Sequence, residues 1–262
     1  MAGHLVASGI TVRFAGVVAN DAVDLEVRPG EIVGLIGPNG AGKTSFFNTV
    51  TGFVTPEAGS ITFNGTDVTA ASPVDRAALG MARTFQQSKL FPHLTVRENL
   101  LLGRHLAYGV PAWRSALRTP AARRAEAAAR ARVADLAAEL HLADVLDGRV
   151  DELTYATRRW VEVGRALATD PALLLLDEPG AGMDIAESAA FGRILRVAQR
   201  RRDLSVLLIE HDVALVLEVC DRVYVLDFGK VIAAGSPDEI RANDAVRRAW
   251  LGTGNEGVKA HG

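Results

Sequence analysis

A single cysteine, Cys220, stands in a chain of 262 residues, so no internal disulfide framework is available. Placed among Val216, Leu217, Val219 and Val223, it reads as a buried structural thiol of a reducing compartment. Long apolar runs are also missing. The longest, Ala172–Leu176 and Leu204–Ile209, fall far short of the roughly 18 residues a helical membrane span needs. Each is bounded by charge and reads as a buried parallel strand. The N-terminus carries neither the basic nor the apolar part of a signal peptide. No sign of charge dominates, with 29 Lys and Arg against 31 Asp and Glu. That balance gives no electrostatic reason to expect nucleic acid as the main partner. The expectation is a soluble chain that reaches a membrane only through a partner.

What the sequence does contain is an interrupted α/β pattern. Period-2 alternation marks strands at Leu5–Phe14 and Val23–Val27. Pro29-Gly30 predicts a turn and Glu31–Ile36 a strand. Ser60–Phe63 followed by Asn64-Gly65 predicts a strand and a tight turn. From about residue 95 the pattern is helical: Thr95-Val96-Arg97-Glu98 is a capping box, and Pro120–Leu140 is rich in helix-forming Ala, Arg and Glu. Strands at Leu173–Leu176, Leu204–Ile209 and Arg222–Leu226 then alternate with helices at Ile185–Arg201 and Val213–Val219. That order is a βαβ core with parallel strands, which the helical stretch interrupts.

Gly37-Pro38-Asn39-Gly40-Ala41-Gly42-Lys43-Thr44 satisfies G-x-x-x-x-G-K-[ST], follows an apolar strand and precedes a helical segment opening at Ser45. Such a loop turns backbone N–H groups around phosphate oxygens and presents the positive end of a helix. Lys43 is the candidate for the β- and γ-phosphates and Thr44 for Mg²⁺. Leu173–Leu176 runs into Asp177-Glu178. At the end of a parallel strand these carboxylates suit a metal ligand and a general base, although alone they also read as a strand cap before Pro179.

Together these residues resemble the ATP-binding subunits of ABC transporters over nearly the whole chain. The resemblance implies an α/β P-loop NTPase core of ABC ATPase type, with an N-terminal antiparallel β region and an inserted α-helical subdomain. The implied boundaries are 1–90, 91–165 for the helical subdomain with its signature motif, 166–253 for the rest of the core, and 254–262 for a flexible tail. It implies that Phe14 stacks on adenine, the other reading being a strand-end core residue. Gln86 resembles the glutamine that senses Mg²⁺ and water, and His211 the switch histidine at the γ-phosphate. Ala181-Gly182-Met183-Asp184 resembles the loop that communicates across an ATPase dimer.

The family signature Leu-Ser-Gly-Gly-Gln is replaced by Leu153-Thr154-Tyr155-Ala156-Thr157. Ala156 stands where a glycine is usual, and a left-handed backbone there would cost alanine roughly 1–2 kcal/mol. Tyr155, the tail from Asp221 to Pro237, Ala249-Trp250-Leu251-Gly252 and the long insertion resemble the larger ATPase subunit of branched-chain amino-acid importers. The resemblance further implies ATP and Mg²⁺ as cofactors and head-to-tail pairing with an identical or sister ATPase subunit. It also implies docking on membrane permease subunits from the cytoplasmic face, with Leu90, Phe91, Pro92 and Leu94 offering either that surface or ordinary interlobe packing. The arginines at 114, 118, 123, 124, 130 and 132 read as a solvated helix face or as contacts to lipid or partner. Another small polar solute, such as urea or an amide, fits the same residues, as does a subunit that hydrolyses weakly.

Overall fold

The computed structural model describes residues 2–84, 90–108 and 120–251. Alternating burial along β1 (Leu5–Phe14) and β2 (Val17–Val27) seats Leu5, Ala7, Ile10, Val12, Val23, Leu25 and Val27 on one apolar face. The two strands pair antiparallel, and with β4 (Ala58–Phe63) and β5 (Thr66–Asp67) they form a sheet in the order β2-β1-β4-β5. β2 is longer than its alternation suggests, because Ala22 takes a left-handed φ of 50° and breaks the period.

The second sheet is the core of the molecule. Its order is β10 (Lys230–Gly235), β9 (Arg222–Asp227), β3 (Ile32–Ile36), β8 (Ser205–Ile209), β7 (Leu173–Asp177) and β6 (Met81–Arg83). All neighbours pair in parallel except β9 with β10. β3, β7 and β8 are buried along their whole length, as apolar runs between two covered faces must be. Ile32, Leu174 and Val206 point into one apolar cluster, and Val33, Leu175 and Leu207 into the other.

The first cluster continues without a break into α3 (Val96–Tyr108), α4 (Pro120–Glu139) and α5 (Tyr155–Leu167), through Val96, Leu100, Val133, Leu136, Trp160 and Val163. The predicted capping box at α3 is formed, with Thr95 N donating to Glu98 Oε2 at 2.8 Å and Glu98 N to Thr95 Oγ1 at 3.2 Å. Arg123, Arg124, Arg130 and Arg132 are exposed, as on a solvated face, and Arg130 pairs with Glu126 at 2.8 Å. Arg114 and Arg118 lie outside the described residues. α6 (Ile185–Arg202), α7 (Val213–Val219), α8 (Pro237–Ala242) and α9 (Asp244–Leu251) complete the chain around the same cluster. Cys220 is buried behind β3, where burial pushes its thiol well above the ordinary range. Among the described residues no helix is long and apolar enough to cross a membrane.

Candidate active site

Beyond the carboxyl end of β3 the chain turns through Gly37–Gly42 into α1 (Lys43–Val50). A Cβ on Gly37 would strike the Leu226 carbonyl, and one on Gly42, whose φ is +101°, would strike that of Ala19. Close backbone approach therefore requires glycine at both. No side chain caps α1 at Gly42, which leaves its first-turn amides open to an anion. Asn39, Gly40 and Thr44 are exposed, Pro38 and Ser45 are half-buried, and Ala41 packs into the core. Lys43 is only 5% exposed, and its ammonium donates to Gly37 O at 2.7 Å and Pro38 O at 2.9 Å. Burial lowers its pKa, opposed by the charges of Glu178 and Asp177. Asn20 Nδ2 braces the loop at Gly42 O, 3.2 Å away. Behind α1, the buried Arg76 of α2 (Pro73–Ala78) donates to the helix-end carbonyls of Thr49 and Val50 and to those of Val68, Thr69 and Ala71.

β7 and β8 deliver the next groups at the same edge. Asp177 is buried at 2% exposure, and desolvation, then the neighbouring Glu178, raises its pKa against the pull of Arg83, His211 and Lys43. Its Oδ1 is buried with no hydrogen-bond partner among the described residues, and Arg83 Nη2 lies 4.0 Å from its Oδ2. An orphaned carboxylate oxygen beside a phosphate loop fits a Mg²⁺ ion. Among the described residues no cluster of three or more His, Cys, Asp or Glu converges on a metal.

Glu178 takes a left-handed φ of 50°, a strained conformation for a non-glycine residue that is held by its N–H to Ile209 O at 2.9 Å. The turn aims its carboxylate at His211, whose Nε2 donates to Glu178 Oε1 at 2.7 Å. Lys43, Asp177, Glu178 and His211 thus converge at one sheet edge: a buried ammonium, a buried carboxylate, and a second carboxylate paired with an imidazole.

The signature residues form a second group at the start of α5. Thr154 is its N-cap: Oγ1 accepts from Thr157 N at 3.3 Å and lies 2.9 Å from Thr157 Oγ1. Ala156 lies inside the helix and is not among the residues of positive φ. The left-handed strain considered for it is therefore absent, because the signature is a helix start rather than a turn. Tyr155 packs on the loop at Gly182, its Cε1 only 3.1 Å from where a Cβ on that glycine would sit. Its hydroxyl accepts from Arg159 Nε at 3.0 Å, and Arg159 pairs with the buried Glu162. Leu153, half-buried, packs against the core. Asp184 is spent on a capping box with Glu187 at the start of α6. From this geometry, Ala156→Gly with Thr157→Gln should leave ATP turnover within about 3-fold of wild type while costing α5 about 1 kcal/mol through the added glycine. Turnover and the thermal midpoint, measured together, check both halves.

Phe14 sits at the tip of the β1–β2 hairpin, 48% exposed rather than in the core. The same hairpin reaches the phosphate loop through Ala19 and Asn20. Gln86 and the tail 254–262 lie outside the described residues. Sequence reasoning passed over Arg76, Arg83 and Glu210. Glu210 left a trace, a lone carboxylate closing the apolar run of β8, whereas the contacts of the two arginines are visible only in three dimensions.

A phosphate loop, paired carboxylates and a histidine on adjacent parallel strand ends define an NTP-hydrolysing cassette. The profile described as ABC transporter matches residues 20–181, and the chain belongs to the ATP-binding subunits of that family. A second profile, described as branched-chain amino acid ATP-binding cassette transporter, matches residues 230–255. The high-affinity branched-chain amino acid transport ATP-binding protein LivG of Salmonella typhimurium is 40% identical, over 95% of this chain and 97% of its own. BraF of Pseudomonas aeruginosa, of the same description, is 37% identical over the same shares. Among solved structures, the ADP conformation of an ABC transporter's ATP-binding cassette matches with a TM-score of 0.82 and 27% identity, covering 96% of this chain and all of the other. The chain is an ATP-binding transporter subunit, and its reaction is ATP hydrolysis.

Proposed function

We propose that the chain powers import of branched-chain amino acids, with Mg-ATP held by residues 37–45 and Phe14. The observation that carries the ATPase half is the union of Lys43, Asp177, Glu178 and His211 at one sheet edge. Lys43 binds the β- and γ-phosphates, Thr44 and Asp177 hold Mg²⁺ with Gln86, and Glu178 takes the proton of the attacking water while His211 orients it. When bound, Mg²⁺ offsets the negative charge of the β- and γ-oxygens. Two such subunits, identical or sister, pair head to tail so that Thr154–Thr157 close the partner's site, and both dock on a permease at the cytoplasmic face. The 230–255 match and the LivG and BraF relatives support the choice of solute. Cells lacking this chain should lose most uptake of labelled leucine, isoleucine and valine, restored by wild type and not by Lys43→Ala. Intact leucine uptake with lost urea or amide uptake would assign the other solute.

A further inference from the structure

The turn after β7 and the end of β8 with its following loop are tied together by three links: Glu178 N to Ile209 O, Glu178 to His211, and Gly180 to Glu210. Ser188 of α6 braces the same loop, its Oγ donating to Asp212 Oδ2 at 3.0 Å. Glu210 closes β8 at 2% exposure, and its carboxylate accepts from Gly180 N through Oε1 at 2.6 Å and from His211 N through Oε2 at 3.1 Å. Gly180 fits closely, since a Cβ there would lie 2.9 Å from Oε1. No part of this arrangement serves packing alone: a buried carboxylate is costly, and it directly follows a strand whose residues are all apolar but Ser205.

We infer that Glu210 is a positioning residue, a clamp whose two oxygens hold the Glu178 turn and the His211 loop in one fixed arrangement. The inference rests on the reading of Glu178 and His211 as the base and its neighbour. Two backbone donors satisfy the carboxylate, and each oxygen serves a different catalytic loop, so neither loop can shift without breaking a charge-assisted hydrogen bond. Burial pushes its pKa up to about 7, the two amides opposing this and the charges of Glu178 and Asp212 adding to it. His211 and the buried Cys220 thiol also lie nearby. The protonated carboxyl keeps one good acceptor rather than two.

The test uses the full chain. Glu210→Gln keeps the shape but turns an NH₂ toward one of the two amides. Hydrogen exchange of residues 178–182 and 210–213 should rise together by about 10- to 100-fold, the cost of freeing a buried amide. ATP affinity and KM should stay within about 3-fold while kcat falls at least about 10-fold, as expected when orientation rather than binding is lost. Glu210→Asp, one methylene short, should loosen the same two segments if the glutamine variant folds poorly. Unchanged exchange in either segment overturns the clamp, as does a loss confined to ATP affinity. Full turnover in Glu178→Gln would remove the catalytic reading instead, and exchange would still decide the clamp.

Discussion

Glu178→Gln should cut ATP turnover by about 10²- to 10⁴-fold, the usual contribution of a positioned general base, while ATP still binds. The substitution is close to isosteric. The amide oxygen can still accept from His211 Nε2, now 2.7 Å from the carboxylate, and the left-handed φ of 50° depends on a backbone bond to Ile209 that the change does not touch. Only proton acceptance is lost. Phosphate release measured beside nucleotide binding separates the two steps. Turnover within a few-fold of wild type would remove Glu178 from the reaction, whatever its position.

Lys43→Ala acts one step earlier. Its ammonium lies inside the phosphate loop against Gly37 O and Pro38 O, and is 5% exposed. Transfer of those donors to phosphate oxygens replaces two neutral acceptors with charged ones. A hydrogen bond to a charged group contributes about 1.5–3 kcal/mol, so ATP affinity should fall roughly 10- to 100-fold. Turnover at saturating ATP should fall as well, because charge on the transferred phosphoryl group loses a cation held beside it. Titration with a fluorescent ATP analogue reads the first effect. Unaltered affinity would mean that Lys43 serves the loop carbonyls alone.

Much of this was legible from residue order. Leu173–Leu176 and the run ending at Ile209 were plain as buried strands because nothing polar interrupts them, and their neighbours Asp177, Glu178 and His211 then followed at the strand ends. The phosphate loop was legible because its glycines have steric reasons to be there. Other features were hidden. β10 carries half-exposed Val231, Ile232 and Ala233 and lacks a clean alternation. The helix beginning at Tyr155 was obscured because Leu153–Thr157 reads as a departure from a signature motif, whereas Thr154 is an ordinary helix N-cap. Glu210 could be seen as a lone carboxylate just past β8, but its two amide partners come from a turn 30 residues away and from its own neighbour. Such contacts exist only once the sheet order does.

That sheet order also sets a timetable for the ribosome. β3, which leads into the phosphate loop, pairs only with β8 and β9, and these lie near residues 205–209 and 222–227. During vectorial synthesis the nucleotide cradle emerges early, yet its strand waits with both edges unpaired until the last quarter of the chain has been made. Until then Ile32–Ile36 is an apolar run with no strand beside it, and the phosphate loop has no fixed base from which to turn.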